Sequence, residues 1–470
     1  FRRKPDIEME ASAPETIMPA GMKYMFATQC SYPSTTNAKI GKYNPRIFDA
    51  GVLPAKDAHT AMHTKMLHSM PRITTSPKFI ALLLFAMFFC GSAMAGEKDD
   101  MFNPLQTAVP SLSIAPDARG GALGDVGAAT SADVNSQYWN PAKYAAMDGR
   151  GGVSLSYTPW LRKIVNDIDL VYLAGYYKLD EVSALSASFR YFSYGEINLT
   201  DLNPSGEPVE VGTAKPYEFA VDLGYSRALS ERWTAAVALR FILSDITNGM
   251  DDEDGTYTSG KAVGADVAAY YKAPISLGEK RTANASFGFN ISNIGSKISY
   301  DDGETSQFIP TNLRVGGAFE YPFDEYNSVT VALDLNKLLI PSTPVKTAEM
   351  TQEEYEEELQ NYRDMSSVSG IFKSFGDAPG GFEEEMKEIM WSVGLEYSYN
   401  KQFMVRGGYF HESESKGNRK YFSLGAGFKL SVFELNAAYL ISTAQSNPLD
   451  QTLRFSLGFN LEGMKKLVEN

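Results

Sequence analysis

Residues 452–461, close to the end of the chain, read Thr-Leu-Arg-Phe-Ser-Leu-Gly-Phe-Asn-Leu. Apolar residues occupy every second position, and the residues between them are polar or glycine. This is the period of a β-strand, in which successive side chains point to opposite faces. One face of such a strand meets an apolar medium and the other a polar one. The stretch therefore predicts a strand of a half-buried sheet or of a barrel wall.

The same alternation recurs from residue 151 onward, in roughly 14 segments. Their approximate spans are 151–158, 168–178, 183–194, 216–227, 232–244, 260–272, 283–293, 312–322, 327–337, 390–400, 403–411, 419–429, 432–443 and 451–461. Tight connections such as 401–402 alternate with long ones such as 338–389, with 273–282 as a medium-length exception on the short side. Short turns at one end and long loops at the other are typical of bacterial outer-membrane barrels.

Charged residues in the middle of the predicted strands distinguish a membrane barrel from a soluble sandwich. They lie on the polar face, where a wet or polar lumen accommodates them better than a sandwich core does. Examples are Arg190, Asp222, Arg240, Arg406 and Arg454. We predict an all-β fold, a 14-stranded antiparallel outer-membrane β-barrel over residues 151–461 with a periplasmic tail at 462–470. An even strand number places both termini in the periplasm.

The first 95 residues are predicted to lie outside the folded domain, and part of them to direct secretion. A basic region followed by the apolar run 79–89 is typical of a secretory signal peptide, which we assign to residues 70–95. Cleavage at the Ala-Met-Ala site would fall between Ala95 and Gly96. Residues 1–69 show no periodicity, and we interpret them as a disordered, non-native upstream extension.

Residues 96–150 do not alternate and are too rich in small residues to form a core of their own. Their motif residues are Arg119, Gly120, Gly121, Gly124, Asp125, Asn140, Pro141 and Ala142. The glycines do not predict a dinucleotide-binding loop, because no strand leads into them and no βαβ unit follows. We predict an N-terminal plug, or hatch, folded into the barrel. A periplasmic linker is the alternative.

Composition removes several classes of function. The net charge of −14, from 43 basic and 57 acidic residues, argues against nucleic acid as a partner. The two cysteines, Cys30 and Cys90, and three of the four histidines precede residue 96. The remaining histidine, His411, could not by itself form a metal site, so we expect no metal, no cofactor and no catalytic residues.

The glycine-rich run, Asn140-Pro141-Ala142 and the strand number resemble the FadL-type barrels with an N-terminal hatch. The detailed run 118–147, with Thr158-Pro159-Trp160 after it, resembles the PorV (LptO) family of the type IX secretion system of Bacteroidota. This resemblance covers residues 103–461. It implies a shuttle, not an enzyme. Such a shuttle binds cargo C-terminal signal domains emerging from the SprA-type translocon and passes them to a sortase-like, PorU-like attachment complex, within outer-membrane lipid and lipopolysaccharide.

Two other functions remain open at this stage. One is a FadL-like transporter of hydrophobic small molecules. The other is a lipid A deacylase or deacylation factor, for which His411 with Glu412, Ser413 and Glu414 is the candidate set. Neighbours on a strand point to opposite faces, so these residues do not form a triad.

The 338–389 loop is the longest connection, and loops of this length usually carry function. A helix starting after Thr351 is predicted within it. Phe372, Phe375 and Phe382 have no strand to cover them, so they either pack on the barrel mouth or contact a partner. Acidic clusters at 251–254, 301–302 and 383–385 are either solvated loops or carboxylates bridged by divalent cations near lipopolysaccharide.

Overall fold

The computed structural model describes residues 102–469, apart from 163–164, 166, 204, 247, 249–257, 278–280, 302, 304, 347–349 and 444–448. The predicted signal peptide, its predicted cleavage site at Ala95 and Gly96, and the predicted upstream extension lie outside the described residues, as does the acidic cluster 251–254.

Fourteen antiparallel strands close into a barrel, which confirms the predicted fold class. The wall strands are β1 Gly151–Pro159, β2 Asp169–Lys178, β3 Ser183–Ser193, β6 Tyr217–Ala228, β7 Trp233–Asp245, β8 Gly260–Ser276, β9 Thr282–Gly295, β10 Asn312–Pro322, β11 Asn327–Leu338, β12 Met390–Tyr399, β13 Phe403–His411, β14 Lys420–Lys429, β15 Phe433–Ser442 and β16 Leu453–Asn460. The barrel closes where β1 pairs with β16, with Leu155 opposite Leu457.

The apparent exception at 273–282 disappears because β8 and β9 extend beyond the predicted spans. Their pairing continues to Ser276 opposite Thr282. All connections at this end of the barrel are therefore short turns, and the long connections lie at the opposite end.

An additional hairpin, missed by sequence reasoning, projects from the long connection between β3 and β6. It consists of β4 Ile197–Leu202 and β5 Pro208–Ala214, which pair only with each other. Most of β5 is exposed on both faces. The segment consequently lacks the apolar–polar alternation that revealed the wall strands.

The outer face of the wall is apolar and the inner face polar, as the alternation predicted. On paired strands β6 and β7, Leu223 and Leu239 face outward and are 66% and 71% exposed, whereas Asp222 and Arg240 face inward and are buried. Aromatic pairs such as Trp233 with Tyr271 lie near the short-turn end. Further aromatic pairs, Tyr409–Phe422 among them, lie towards the opposite end. Aromatic belts at both interfaces are typical of membrane barrels.

Helices are short and lie outside the wall strands. Two single-turn helices, α1 Ala118–Ala122 and α2 Ser136–Trp139, belong to the N-terminal segment. Three lie in the 339–389 connection: α3 Gln352–Asp364, α4 Ser367–Lys373 and α5 Phe382–Lys387. The last, α6 Leu461–Glu469, follows β16. Of the helices in the described part of the chain, none combines the length and the apolar character that a bilayer crossing requires.

The exposed leucines of the wall allow a test of the lipid-facing surface. Leu239 lies in the middle of β7 and Leu229 lies in the tight turn before it, and both are about equally exposed, at 71% and 68%. We expect Leu239→Arg to lower the free energy of unfolding by about 2–4 kcal/mol and Leu229→Arg by about 0–1 kcal/mol. The check is urea titration of refolded protein in lipid vesicles, and equal losses would contradict the assignment.

Candidate functional site

The N-terminal segment 103–150 lies inside the barrel. Its hydrogen bonds reach strands β2, β3, β6 to β12, β14 and β16, which together surround the lumen. A single short segment can contact strands all around a closed wall only from within. We refer to residues 103–150 as the plug.

Arg119 connects the plug to wall strand β12, and Glu396 extends this connection to β13. Its guanidinium lies 3.3 Å from the Glu396 carboxylate on β12 and 2.7 Å from Asp133 within the plug. Glu396 also accepts a hydrogen bond of 2.5 Å from Arg406 on β13. Arg119, Glu396 and Arg406 are all buried. The Glu396 carboxylate therefore neutralises part of the charge of two guanidinium groups. A buried ion cluster of this kind depends on every member.

Asp125, just after α1, forms a second connection between the plug and the wall. Its two carboxylate oxygens accept hydrogen bonds from Arg454 on β16 and from Tyr421 on β14, each 2.5 Å long. The neighbouring backbone of the plug is held as well, because Gly124 N–H donates to Ser423 Oγ at 2.9 Å. The plug is therefore fastened through both charges and main-chain groups.

Close approach of backbones explains the glycines of the plug and of the wall. Gly124 has a φ of +75° and lies against β13, where a Cβ on Gly408 would be 2.1 Å from Gly124 N. Gly120 packs beneath Trp139, and a Cβ there would be 2.2 Å from the indole. The glycine run thus permits tight packing.

Asn140-Pro141-Ala142 forms a rigid turn in contact with the wall. The Asn140 side chain accepts from Ala142 N at 3.1 Å, which caps the following 3₁₀ turn, and donates to Ala269 O on β8 at 2.9 Å. Proline at the first position of this turn has no N–H to satisfy. All eight predicted motif residues lie in the plug, and Arg119, Gly124, Asp125, Asn140 and Ala142 bond directly to the wall.

The long connection between β11 and β12, residues 339–389, forms a helical structure that we call the cap. The predicted helix after Thr351 is present as α3, and Thr351 with Glu354 forms a complete capping box. Sequence reasoning missed α4 and α5, which are too short to show a periodic pattern.

Buried ion pairs hold the base of the cap. Lys337 at the end of β11 contacts Glu385 at 3.0 Å and Glu388 at 2.6 Å. Lys416, in the connection between β13 and β14, contacts Glu384 at 2.5 Å and Glu388 at 3.1 Å. The Glu388 side chain is completely buried. Two elements of the barrel rim thus hold α5 and the residues that follow it.

An aromatic residue of the neighbouring connection supports the other helices of the cap. Phe308 is buried, and its ring centre lies 5.5 Å from that of Tyr362 on α3. On α4, a Cβ at Gly370 would be 2.9 Å from the Phe308 ring. The Lys297 ammonium also lies over the Phe308 ring, 4.5 Å from the ring centre. The cap therefore packs on the barrel and is not a free loop.

The phenylalanines singled out from the sequence do not pack on the barrel mouth. Phe372, Phe375 and Phe382 are 76%, 56% and 81% exposed. Val368 and Met386, each one helical turn from one of these phenylalanines, are exposed as well. Sequence reasoning missed these two, although their i, i+4 spacing was a usable signal. We call these five residues the docking face.

The acidic cluster 383–385 is only partly solvated. Glu384 and Glu385 are paired with lysines, whereas Glu383 is exposed and pairs with Lys387 along the helix. In the second cluster, Asp301 accepts hydrogen bonds from Ser299 and Thr305. Across the described residues, no group of three or more His, Cys, Asp or Glu side chains has the geometry of a metal site.

His411, the candidate of the deacylase hypothesis, is engaged with aromatic residues. Its ring stacks on Trp391 with ring centres 5.0 Å apart. Glu412 forms a bidentate pair with Arg419, with both distances at 2.7 Å. The Glu412 carboxylate therefore points to arginine and not to the imidazole.

The carboxyl groups at the base of the cap titrate differently. Burial raises the pKa of Asp377 to about 6, and the nearby carboxylates of Glu385 and Glu388 act in the same direction. Burial also acts to raise the pKa of Glu384, but hydrogen bonds from Lys416 and from Gly380 N–H outweigh it and lower that pKa. Compared with a free carboxyl group, Asp377 in the folded cap stays protonated to a higher pH, and Glu384 stays ionised to a lower one.

The raised pKa of Asp377 predicts a pH-dependent cap. Its pKa rises from 3.8 to about 6 on folding, so its contribution to stability is fully present below pH 3.8 and is lost as the pH rises through 6. Asp377→Asn removes this titration. We expect the cap of the variant to be better protected from hydrogen exchange than the parent above pH 7, and equally protected near pH 4. Equal protection at both values would contradict this prediction.

Fold and site together define a plugged outer-membrane β-barrel with an ordered cap at its long-loop end. Residues 97–346 match the family model of the type IX secretion system protein PorV, which covers the plug and β1 to β11. The chain belongs to this family. It is a type IX secretion protein of the outer membrane.

The solved structures to which the chain is similar are distant in sequence. The Ralstonia pickettii toluene transporter TbuX is 10% identical with a TM-score of 0.38, over 73% of this chain and 96% of that one. The Pseudomonas putida toluene transporter TodX is 10% identical with a TM-score of 0.42, over 77% and 99%. A Pseudomonas aeruginosa FadL homologue is 10% identical with a TM-score of 0.36, over 76% and 99%. No curated protein matches the chain.

Proposed function

We propose that the docking face receives the folded C-terminal signal domains of secreted proteins as they leave a SprA-type translocon. The protein then carries each cargo to a sortase-like, PorU-like attachment complex. The observation that carries this proposal is a set of five exposed apolar side chains on and between α4 and α5. Buried ion pairs fasten α5 to the barrel rim, and α4 packs on Phe308.

The physical argument rests on the combination of exposure and order. Phe372 and Phe382 expose more than three quarters of their surface to solvent, which is unfavourable unless a partner covers them. Aromatic residues dominate binding hot spots. Because the base of α5 is fixed by Lys337 and Lys416, little conformational freedom is lost on binding, and this favours affinity.

The proposed orientation follows from the barrel. The short turns, the start of β1 and the end of β16 lie at the same end of the barrel. We assign this end to the periplasm. The cap then lies at the cell surface, surrounded by lipopolysaccharide. A cargo domain would meet the docking face only after it had crossed the membrane.

Substitution tests this proposal better than deletion of the cap, which would leave Lys337 and Lys416 buried without their carboxylates. We expect the triple variant Phe372→Ser, Phe375→Ser, Phe382→Ser to lose at least about 2 kcal/mol of binding energy, roughly 30-fold in Kd. Cargo signal domains can be titrated against the detergent-purified protein by calorimetry.

Phe323→Ser provides the matched control, because Phe323 is 45% exposed in a tight turn at the other end of the barrel. This variant should bind cargo like the parent. Unchanged Kd in the triple variant would exclude the docking face. Failure of the parent to bind any signal domain, together with restored fatty acid uptake in cells, would support a transporter instead.

A further inference from the structure

Helix α3 of the cap carries a large excess of negative charge. Its 13 residues include six acidic side chains and one basic one, Arg363, and none of the 13 is buried. Glu353, Glu357 and Glu358 form no ion pair within the described part of the chain. The hydrogen bonds along the helix are made instead by Gln352 with Glu356 and by Gln360 with Asp364.

This charge arrangement is unfavourable for an isolated helix. Glu353 and Glu357 are four residues apart, as are Glu354 and Glu358, so like charges lie next to each other on successive turns. Asp364 lies at the C-terminal end, where the helix dipole disfavours a negative charge. A helix that is polar on all sides is normally stabilised by opposite charges at this spacing. Among the described residues, Lys346 reaches Gln352 at the start of the helix and Lys297 reaches Arg363 O at its end. Neither lysine forms an ion pair with Glu353, Glu357 or Glu358.

The acidic helix adjoins the docking face. Only Met365 and Ser366 separate α3 from α4. Both helices pack on Phe308, α3 through Tyr362 and α4 through Gly370. Lys297 Nζ also donates to Arg363 O at 2.5 Å, which holds the end of α3 to the barrel rim. A partner seated on Phe372 therefore brings its own rim close to α3.

We infer that the docking face and α3 form one composite surface, and that its occupant is a folded protein domain with an apolar centre and a basic rim. This inference rests on the function proposed above and specifies the chemistry of the cargo. Lysines and arginines of the partner supply the charges that α3 lacks. Charge complementarity of this kind mainly accelerates association and selects among partners. An anionic lipid surface is repelled by the same helix.

The test compares two charge-neutralised variants of the full-length protein in detergent. The first is Glu353→Gln, Glu357→Gln, Glu358→Gln, which keeps the helix propensity. The matched control is Glu181→Gln, Glu231→Gln, Glu325→Gln, which removes the same charge from exposed positions in tight turns at the other end. The probe is a purified C-terminal signal domain of a type IX secreted protein. Surface plasmon resonance gives its association rate at low and high salt, each measured with and without a chelator.

We expect the α3 variant to associate about 10-fold more slowly at low salt and to lose most of its salt dependence, while the control matches the parent. Parent-like association of the α3 variant would overturn the inference and leave the proposed function standing. So would binding that the chelator abolishes, since a cation bridge would then explain the charge. Absence of binding to the parent would remove the proposed function and the inference with it.

Discussion

Replacing Glu396 by glutamine is expected to lower the free energy of unfolding by about 3–5 kcal/mol, because it leaves two buried guanidiniums without their shared carboxylate. Arg119 of the plug and Arg406 of the wall both contact Glu396, at 3.3 and 2.5 Å. Asp133 remains as a partner of Arg119 and Asn436 as a partner of Arg406, but only Glu396 contacts both cations. The loss can be measured by urea titration of vesicle-inserted protein.

The same substitution at an exposed pair is the control for this prediction. Glu196 lies 2.9 Å from Lys215, and both side chains are largely exposed. Glu196→Gln should cost less than about 1 kcal/mol. Hydrogen exchange of the plug amides should increase only in the Glu396 variant. If both variants unfold at the same urea concentration, the Arg119–Glu396 contact does not hold the plug.

The wall of the barrel could be predicted from sequence because its two faces meet different environments. Lipid on one side and polar groups on the other impose a period of two on every strand, as in Phe455, Ser456 and Leu457. Even β8, diluted by alanines, kept enough of the pattern to be located, although its C-terminal end was placed too early. The β4–β5 hairpin meets water on both faces of β5, so no period marks it.

The base of the cap could not be predicted because its pairs join distant parts of the chain. No motif or regular spacing links Lys337, Glu388 and Lys416 in the sequence, and the folded barrel brings Glu388 within 3.1 Å of both lysines. The plug is similar. Its composition indicated a segment that needs a host, but the contact of Asp125 with Arg454 spans 329 residues. Neither spacing nor periodicity carries information over such a separation.

Deletion of residues 118–147 is expected to convert the protein into an open pore. These residues supply α1, α2 and the Asn140-Pro141-Ala142 turn, and their hydrogen bonds reach strands on all sides of the lumen. Without them, the inward-facing side chains of the wall would border water. The wall retains ion pairs of its own, such as Glu396 with Arg406 and Asp222 with Arg240, so the barrel should still close.

Planar bilayer recordings provide the measurement, with slower gel migration on heating as evidence that the variant is folded. We expect steady ohmic conductance from the deletion variant and none from the parent, since an unplugged bacterial barrel of this class encloses water. Because the plug is held by several independent anchors, the substitution Asp125→Asn alone should leave conductance low. A folded deletion variant that conducts no better than the parent would mean that the plug does not seal the lumen. A parent that conducts freely would favour solute transport over protein docking.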